Sequence, residues 1–129
     1  MSNYYFSARS NKNLKECDPR LQDLALEVMK LQLFDFGISC GHRPQEEQNR
    51  LYHEGKSKLK FPYGKHNDFP SKAFDFVLYV NNKVDWNDKA AWYMAVGVFR
   101  GVAAKLEIPV RVGARIVTGK IIMFPIWKL

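Results

Sequence analysis

A histidine in a basic loop stands shortly before an aspartate that lies inside a strongly apolar run. The histidine is His66, and the aspartate is Asp75 in the run Ala-Phe-Asp-Phe-Val-Leu at 73–78. A carboxylate in such a run loses its hydration on folding, so it needs a positively charged partner. His66 with a metal ion could provide that partner, since imidazole and carboxylate are two ligand types that zinc accepts. The alternative is that Asp75 is bonded to the backbone or to an arginine and that His66 is an ordinary loop residue.

The surrounding motif resembles the zinc-binding segment of a peptidase family. His-Asn at 66–67, Pro-Ser at 70–71 and Ala-x-Asp at 73–75 are similar to a segment of the VanY-like D-alanyl-D-alanine carboxypeptidases and the phage L-alanyl-D-glutamate endolysins. Members of this family cleave peptidoglycan. The resemblance implies that the side chains of His66 and Asp75 are the first two zinc ligands.

An earlier part of the chain resembles the same family. Cys-Gly-His-Arg at 40–43 and Glu-Glu-Gln-Asn-x-Leu-Tyr at 46–52 are similar to its small-phage branch. The resemblance implies that Arg43 lies near the zinc and binds substrate or the developing oxyanion. A guanidinium suits that role because its rigid fork pairs with a carboxylate or an oxyanion in two hydrogen bonds. The alternative is an ordinary surface arginine at the start of a helix.

The end of the chain departs from the family pattern at two positions. Pro125, Trp127 and Leu129 align this segment with the family, and they place Ile126 at the third zinc ligand and Met123 at the carboxylate that activates water. Isoleucine has no lone pair to offer a metal, and methionine cannot accept a proton. The sequence therefore predicts a remnant of a zinc site in a protein that no longer hydrolyses peptides.

Other residues near this pattern bear on the same prediction. Arg115 and Lys128 put positive charge at acidic positions of the family, which disfavours a divalent cation nearby. Asp68, His42 or His53 could supply the missing ligand, although none of them occupies a ligand position of the family. A frameshifted or engineered C-terminus would produce the same departures.

Size and composition predict a folded domain spanning residues 1–129. A chain of 129 residues with 47% hydrophobic and 14% aromatic residues can bury about two-thirds of its unfolded surface, which argues against disorder. No apolar run approaches the ~20 residues of a membrane span, and Met1 to Tyr5 lack the basic-then-apolar pattern of a signal peptide, so we expect no secretion by the general route. We expect the protein in the cytoplasm of an infected bacterium or in the virion.

Cys17 and Cys40 are too few for a disulfide scaffold or a cysteine-based zinc cluster, and we expect both as reduced thiols in or near the core.

Hydrophobic periodicity and capping residues predict the elements that must position these side chains. The order of elements predicts an α+β fold with a small antiparallel sheet backed by helices, as in the D-alanyl-D-alanine carboxypeptidases. Residues 1–16 are expected to be irregular, Asn81-Asn82 to form a turn, and Gly97 and Gly101 to allow close packing against the sheet. The predicted helices are Pro19–Leu33 with Asp18 as its N-cap, Pro44–His53, and a long helix from the N-cap Asn87 to Leu106; the predicted strands are Phe36–Cys40, Ala73–Val80, a short return from Val84 to Trp86, Ile108–Val112 and Ile121–Trp127.

The charge of the chain favours an anionic partner. The net charge is +7, and residues 54–72 interleave lysines with aromatic residues. Such a loop could line a peptide cleft, bind single-stranded nucleic acid, or simply be solvated. The residues predicted to form a substrate or partner surface are Lys58, Lys60, Tyr63, Lys65 and Trp127.

Three functions follow from these observations. The first is a catalytically inactive homologue of a phage cell-wall zinc peptidase, kept as a binding or virion-associated structural protein. Its partner would be a phage structural protein or a peptidoglycan peptide, and no cofactor is expected. The second is an active zinc peptidase that cleaves L-alanyl-D-glutamate or D-alanyl-D-alanine bonds. The third is a basic nucleic-acid-binding module.

Overall fold

Five strands form one antiparallel sheet, and four helices accompany it, in a computed structural model that describes residues 3–64, 66–84, 87–115 and 120–125. The strand order is β1-β2-β5-β4, and β3 pairs with the C-terminal end of β2. All pairings between these strands are antiparallel. The predicted α+β class with a small antiparallel sheet is therefore confirmed. The elements are α1 (Ala8–Lys15), α2 (Pro19–Lys30), β1 (Asp35–Cys40), α3 (Gln45–His53), β2 (Phe74–Val80), β3 (Lys83–Val84), α4 (Lys89–Lys105), β4 (Val110–Arg115) and β5 (Lys120–Pro125).

The core is an aromatic cluster between β1, β2 and α4. The ring of Phe36 meets those of Phe6 and Phe99 edge-on at centroid distances of 5.1 and 5.3 Å. Phe76 lies 4.6 Å from Phe99 and is stacked on Trp92 at 5.9 Å. On the two strands the buried apolar side chains recur at every second position, as the period of a strand requires: Phe36 and Ile38 on β1, and Phe74, Phe76 and Leu78 on β2. The cluster therefore fixes which face of β1 and β2 points to the core.

The N-terminal segment forms a helix, so the prediction that residues 1–16 are irregular was wrong. Ser7 caps α1 by accepting from the Ser10 amide at 3.1 Å. Ser10 Oγ accepts from the amide of Ile38 at 3.0 Å, and Asn13 Nδ2 donates to the Ile38 carbonyl at 2.8 Å. β1 is an edge strand of the described sheet, so one side of it has backbone N–H and C=O groups without a partner strand. Ser10 and Asn13 form hydrogen bonds with two of these groups. The polar sequence of α1 hides this role, since its stabilising partners are distant in the chain.

Most predicted boundaries lie close to the observed ones. Asp18 caps α2, accepting from the Arg20 amide at 2.9 Å, as predicted. The N-cap of α4 is Asp88 rather than Asn87, and it accepts from the Ala91 amide at 3.1 Å. The predicted turn at 81–82 is confirmed: both asparagines have positive φ, as a two-residue hairpin turn requires. Asp85 and Trp86, which the sequence placed on the return strand, lie outside the described residues.

The two glycines of α4 do not pack against the sheet, contrary to prediction. Gly97 and Gly101 are exposed, and a Cβ at either position would meet no heavy atom within 4 Å. The stripe of α4 that faces the core is formed instead by Trp92, Ala95 and Phe99, with Ala103 below them. Among the described residues, no helix has both the length and the apolar character needed to cross a bilayer.

Gly41 marks a close approach between the turn after β1 and the end of α1. A Cβ at Gly41 would overlap the Asn13 carbonyl oxygen and lie 3.2 Å from the sulfur of Cys17. Only glycine fits here without moving backbone. The position of α1 therefore depends on this glycine.

We predict that Gly41→Ala lowers the free energy of unfolding by about 1–3 kcal/mol, because the added methyl overpacks a site bounded by backbone. Urea denaturation measures this change. Gly97→Ala is the matched control, and it should raise stability by about 0.5–1 kcal/mol because it removes a glycine from an exposed helix interior. Equal stabilities for Gly41→Ala and the wild type would contradict the packing of α1 described above.

The two cysteines should differ sharply in reactivity. Cys17 is 1% exposed, and burial, reinforced by neighbouring negative charges, raises the pKa of its thiol to about 12. The thiolate is the nucleophile, so native Cys17 should resist alkylation at pH 8 to 9, whereas the half-buried Cys40 reacts. Because the pKa is raised, the neutral thiol adds stability below the unfolded pKa of 9.0, and that stability is lost as pH rises towards 12. Mass mapping of labelled protein with and without urea checks this; rapid native labelling of Cys17 would refute it.

Candidate metal centre

The loop that carries His66 is tied to distant parts of the chain. Ser71 donates its amide to the Glu16 carbonyl at 2.7 Å, and its carbonyl accepts from the Asp18 amide at 2.8 Å. The Arg43 amide donates to the carbonyl of His66 at 2.6 Å. These backbone bonds join the loop to the α1–α2 junction and to the turn after β1. His66 is therefore held in place although it belongs to no helix or strand.

The structure brings His66 and Asp75 together. His66 Nε2 lies 3.1 Å from Asp75 Oδ1, and the two residues are only 3% and 5% exposed. His66 Nδ1 lies 2.7 Å from the Gly41 carbonyl, which can only accept, so Nδ1 carries a proton. Burial alone would lower the pKa of His66, but hydrogen bonds and charges of Asp75 and Cys40 outweigh it and raise the pKa to about 10. His66 thus donates from Nδ1 to the Gly41 carbonyl, and its Nε2 faces the Asp75 carboxylate.

Arg43 completes the charge balance of the site. Its side chain is 12% exposed, and its Nη2 lies 4.0 Å from Asp75 Oδ2. Its Nη1 donates to Gln48 Oε1 at 3.0 Å. The buried Nε has no hydrogen-bond partner within the part of the chain that the structure describes. A buried donor of this kind is rare in proteins, and it would suit an incoming ligand oxygen. The exposed surface arginine that the sequence allowed as an alternative is therefore wrong.

Cys40 joins this cluster through an irregularity in the sheet. Pairing of β1 with β2 runs regularly through Ile38↔Phe76, and a regular continuation would place Cys40 opposite Phe74. The register shifts between Ile38 and Cys40, so Cys40 lies opposite Asp75 instead. A bulge re-aims side chains in this way. The sulfur of Cys40 lies 3.8 Å from His66 Nδ1 and 3.8 Å from Arg43 Nη2.

The donor set of this cluster suits zinc. One ligand atom each from Cys40, His66 and Asp75 can be chosen so that all lie within 4.8 Å of one another. Thiolate sulfur, imidazole nitrogen and carboxylate oxygen are the ligands that zinc uses. The sequence predicted two of these residues and treated Cys40 only as a core or near-core thiol. No sequence pattern could have found it, because its place depends on one shifted residue in the strand pairing.

Gln48 is a buried support of the site that the sequence analysis missed. It is 0% exposed, and its Oε1 accepts from Arg43 and from Asn67 Nδ2 at 3.0 and 3.1 Å. Its Nε2 donates to Ser57 Oγ at 2.9 Å and to a backbone carbonyl in the same loop. The sequence signal that could have identified Gln48 is a polar residue at a position of α3 that faces the protein interior. Gln48 therefore links the guanidinium of Arg43 to Asn67, the neighbour of His66, and to the segment around Ser57.

The other histidines and the predicted surface residues lie away from the cluster. His42 Nδ1 pairs with the Asp68 carbonyl at 3.0 Å, and Asp68 lies 3.4 Å from Lys72. His53 is exposed beside Tyr52. Asp68, His42 and His53, which the sequence offered as a replacement for the missing ligand, are therefore not part of the metal-binding cluster. Of the predicted partner surface, Lys58, Lys60 and Tyr63 are exposed, whereas Lys65 and Trp127 lie outside the described residues.

The two departures from the family pattern fall on and after β5. The backbone of Met123 pairs with Phe74 on one side and with Val112 on the other. Ile122 holds the register position opposite Asp75. The predicted position of the missing base is therefore on the strand adjacent to β2. Ile126 lies outside the described residues, and its assignment stays a prediction.

We predict that Gln48→Ala destabilises the protein by about 1–3 kcal/mol, because it leaves buried hydrogen-bond partners unsatisfied. Urea unfolding measures the change. Glu46→Ala on the exposed face of the same helix is the control and should stay within ~0.5 kcal/mol of the wild type. If the two variants were equally stable, Gln48 would not support the site.

Comparisons with known proteins agree with the geometry. A model of the phage L-alanyl-D-glutamate peptidase family matches residues 1–119, a range that includes His66 and Asp75 and ends before Met123. The L-alanyl-D-glutamate peptidase of Escherichia phage T5 is 33% identical over 111 residues, which is 86% of this chain and 80% of that protein. The crystal structure of the Serratia marcescens L-Ala D-Glu endopeptidase ChiX has the same fold, with a TM-score of 0.78 at 21% identity over 95% of this chain and 90% of that one. The resemblance read from the motifs is thus confirmed, and the chain belongs to the phage L-alanyl-D-glutamate peptidase family of zinc peptidases.

Proposed function

We propose that this chain is one peptidase-like domain that binds peptidoglycan stem peptides without hydrolysing them. His66, Asp75 and Arg43 form the binding site, and the retained role is attachment to the cell wall, free or as part of the virion. The relative from phage T5 is called an L-alanyl-D-glutamate peptidase, which supports a peptide containing D-glutamate as the ligand. Such a peptide carries free carboxylates and suits a basic protein of net charge +7.

Arg43 supports binding. Its guanidinium is anchored at one end by Gln48, and its buried Nε lacks a partner among the described residues. A peptide carbonyl or carboxylate oxygen placed there would satisfy this donor in a charge-assisted hydrogen bond. The anchor also fixes the direction of the guanidinium before the ligand arrives, which reduces the ordering cost of binding.

The lack of a second carboxylate carries the proposal of inactivity. Among the described residues, the metal-binding cluster contains a single carboxylate, Asp75, and this is already paired with His66 and close to Arg43. The chemistry that zinc supplies in such a site is polarisation of the peptide carbonyl and acidification of water. Hydrolysis also needs a group that takes the proton from water, and we assign Met123 to the position where the family has it. Asp68 cannot serve, because it is exposed and paired with Lys72.

The purified protein should bind isolated peptidoglycan and release no new amino groups from it, with or without added zinc. Arg43→Ala should weaken binding by about 10- to 100-fold, the usual value of a hydrogen bond to a charged group. Co-sedimentation with peptidoglycan and an amine-release assay measure the two effects. Arg50→Ala is the matched control, since this arginine is 56% exposed and pairs only with surface glutamates in the described chain.

A restoration variant tests the reason for inactivity. Met123→Asp combined with Ile126→His should produce amine release that a chelator abolishes, because it returns a base and a third ligand to the family positions. The phage T5 enzyme serves as the positive control for the substrate. Chelator-sensitive hydrolysis by the unmodified chain would overturn the proposal and establish the active peptidase instead.

A further inference from the structure

We propose that the thiolate of Cys40 is a protein ligand of a divalent metal ion, in a Cys40–His66–Asp75 site that binds zinc. The three residues come from β1, from the loop after α3 and from β2. This site replaces the missing ligand at Ile126 with one from another part of the fold. The inference goes beyond the proposed function and does not depend on it, because a bound metal requires neither hydrolysis nor peptide binding.

The spacing of the donor atoms supports the site. Zinc bonds are about 2.0–2.3 Å long, so ligand atoms of a tetrahedral site are roughly 3.5 Å apart. His66 Nε2 and Asp75 Oδ1 are 3.1 Å apart, and one ring nitrogen of His66, the Cys40 sulfur and an Asp75 oxygen lie within 4.8 Å of one another. The direct pairing of Cys40 with Asp75 across the strands keeps these two side chains together.

The hydrogen bonds of His66 favour metal binding over a different use of the same residues. Its Nδ1 donates to the Gly41 carbonyl at 2.7 Å, and Ser71 Oγ donates to that carbonyl at 3.3 Å. A ligating histidine is usually oriented by such a bond on its other ring nitrogen, which leaves Nε2 for the metal. Cys40 could instead be a nucleophile with His66 as its base. That use needs Nδ1, which is 3.8 Å from the sulfur and already bonded to the carbonyl.

The charges around the site also suit a dication. A thiolate and a carboxylate together neutralise two positive charges. Arg43 Nη2 lies 3.8 Å from the sulfur and 4.0 Å from Asp75, so it can donate to the outer side of both ligands. Sulfur among the ligands favours zinc over magnesium or calcium, which prefer oxygen alone.

Titration of the metal-free protein with cobalt(II) tests the site. The expected result is one cobalt per chain with an intense near-ultraviolet band from thiolate-to-metal charge transfer, which added zinc abolishes. Cys40→Ser should lose this band and bind at least ~100-fold more weakly, because loss of even an outer partner costs about 10- to 100-fold. Cys17→Ser is the matched control and should keep the band, since that thiol is buried in the core. Circular dichroism establishes that each variant is folded.

Zinc protection of the unmodified chain provides an independent measurement. Iodoacetamide should alkylate Cys40 in the metal-free protein and do so at least tenfold more slowly when zinc is bound, as located by peptide mass mapping. Cobalt bound without the charge-transfer band would overturn the proposal, because His66 and Asp75 would then act without sulfur. Absence of metal binding, or equal alkylation rates with and without zinc, would also overturn it. All three measurements are made without peptidoglycan, so their outcome does not depend on whether the protein binds or hydrolyses peptidoglycan.

Discussion

A carboxylate buried in an aromatic strand is the constraint on which this structure depends. Asp75 lies between Phe74 and Phe76, both of which are fully buried, and its own residue is 5% exposed. Its charge must be balanced inside the fold, because an unpaired ion in such surroundings would cost several kcal/mol. His66 and Arg43 supply that balance from two different loops. The fold brings the turn after β1 and the loop before β2 to the same end of the sheet, where the side chains of Arg43 and His66 meet the carboxylate.

The N-terminal helix takes part in this arrangement although it carries none of the site residues. α1 lies against Gly41 and bonds to both backbone groups of Ile38, so it holds the end of β1 and the turn that follows. The Gly41 carbonyl in turn accepts from His66. The Gly41 carbonyl thus orients the imidazole of His66, and the position of that carbonyl depends on the packing of α1. This chain of contacts explains why a polar and unremarkable segment is ordered at all.

Metal binding and hydrolysis require different groups of a protein. A metal needs lone pairs at suitable distances, and water activation needs a base that is free to accept a proton. The described site offers donors for a metal in Cys40, His66 and Asp75, whereas its single carboxylate is occupied. Substitution at the end of the chain can therefore remove catalysis and leave a cluster that still suits a cation.

The sequence by itself determined the family, the α+β class and the approximate extent of α2, α3, β1 and β2, because periodicity, caps and local motifs are properties of neighbouring residues. It also singled out His66, Asp75 and Arg43 as residues to examine. Only the tertiary structure decided that α1 is a helix, that Gln48 supports Arg43, and that Cys40 lies opposite Asp75. The physical reason is the same in each case. A hydrogen bond to a distant edge strand, a buried polar contact and a one-residue shift in strand pairing all join residues whose proximity no local pattern encodes.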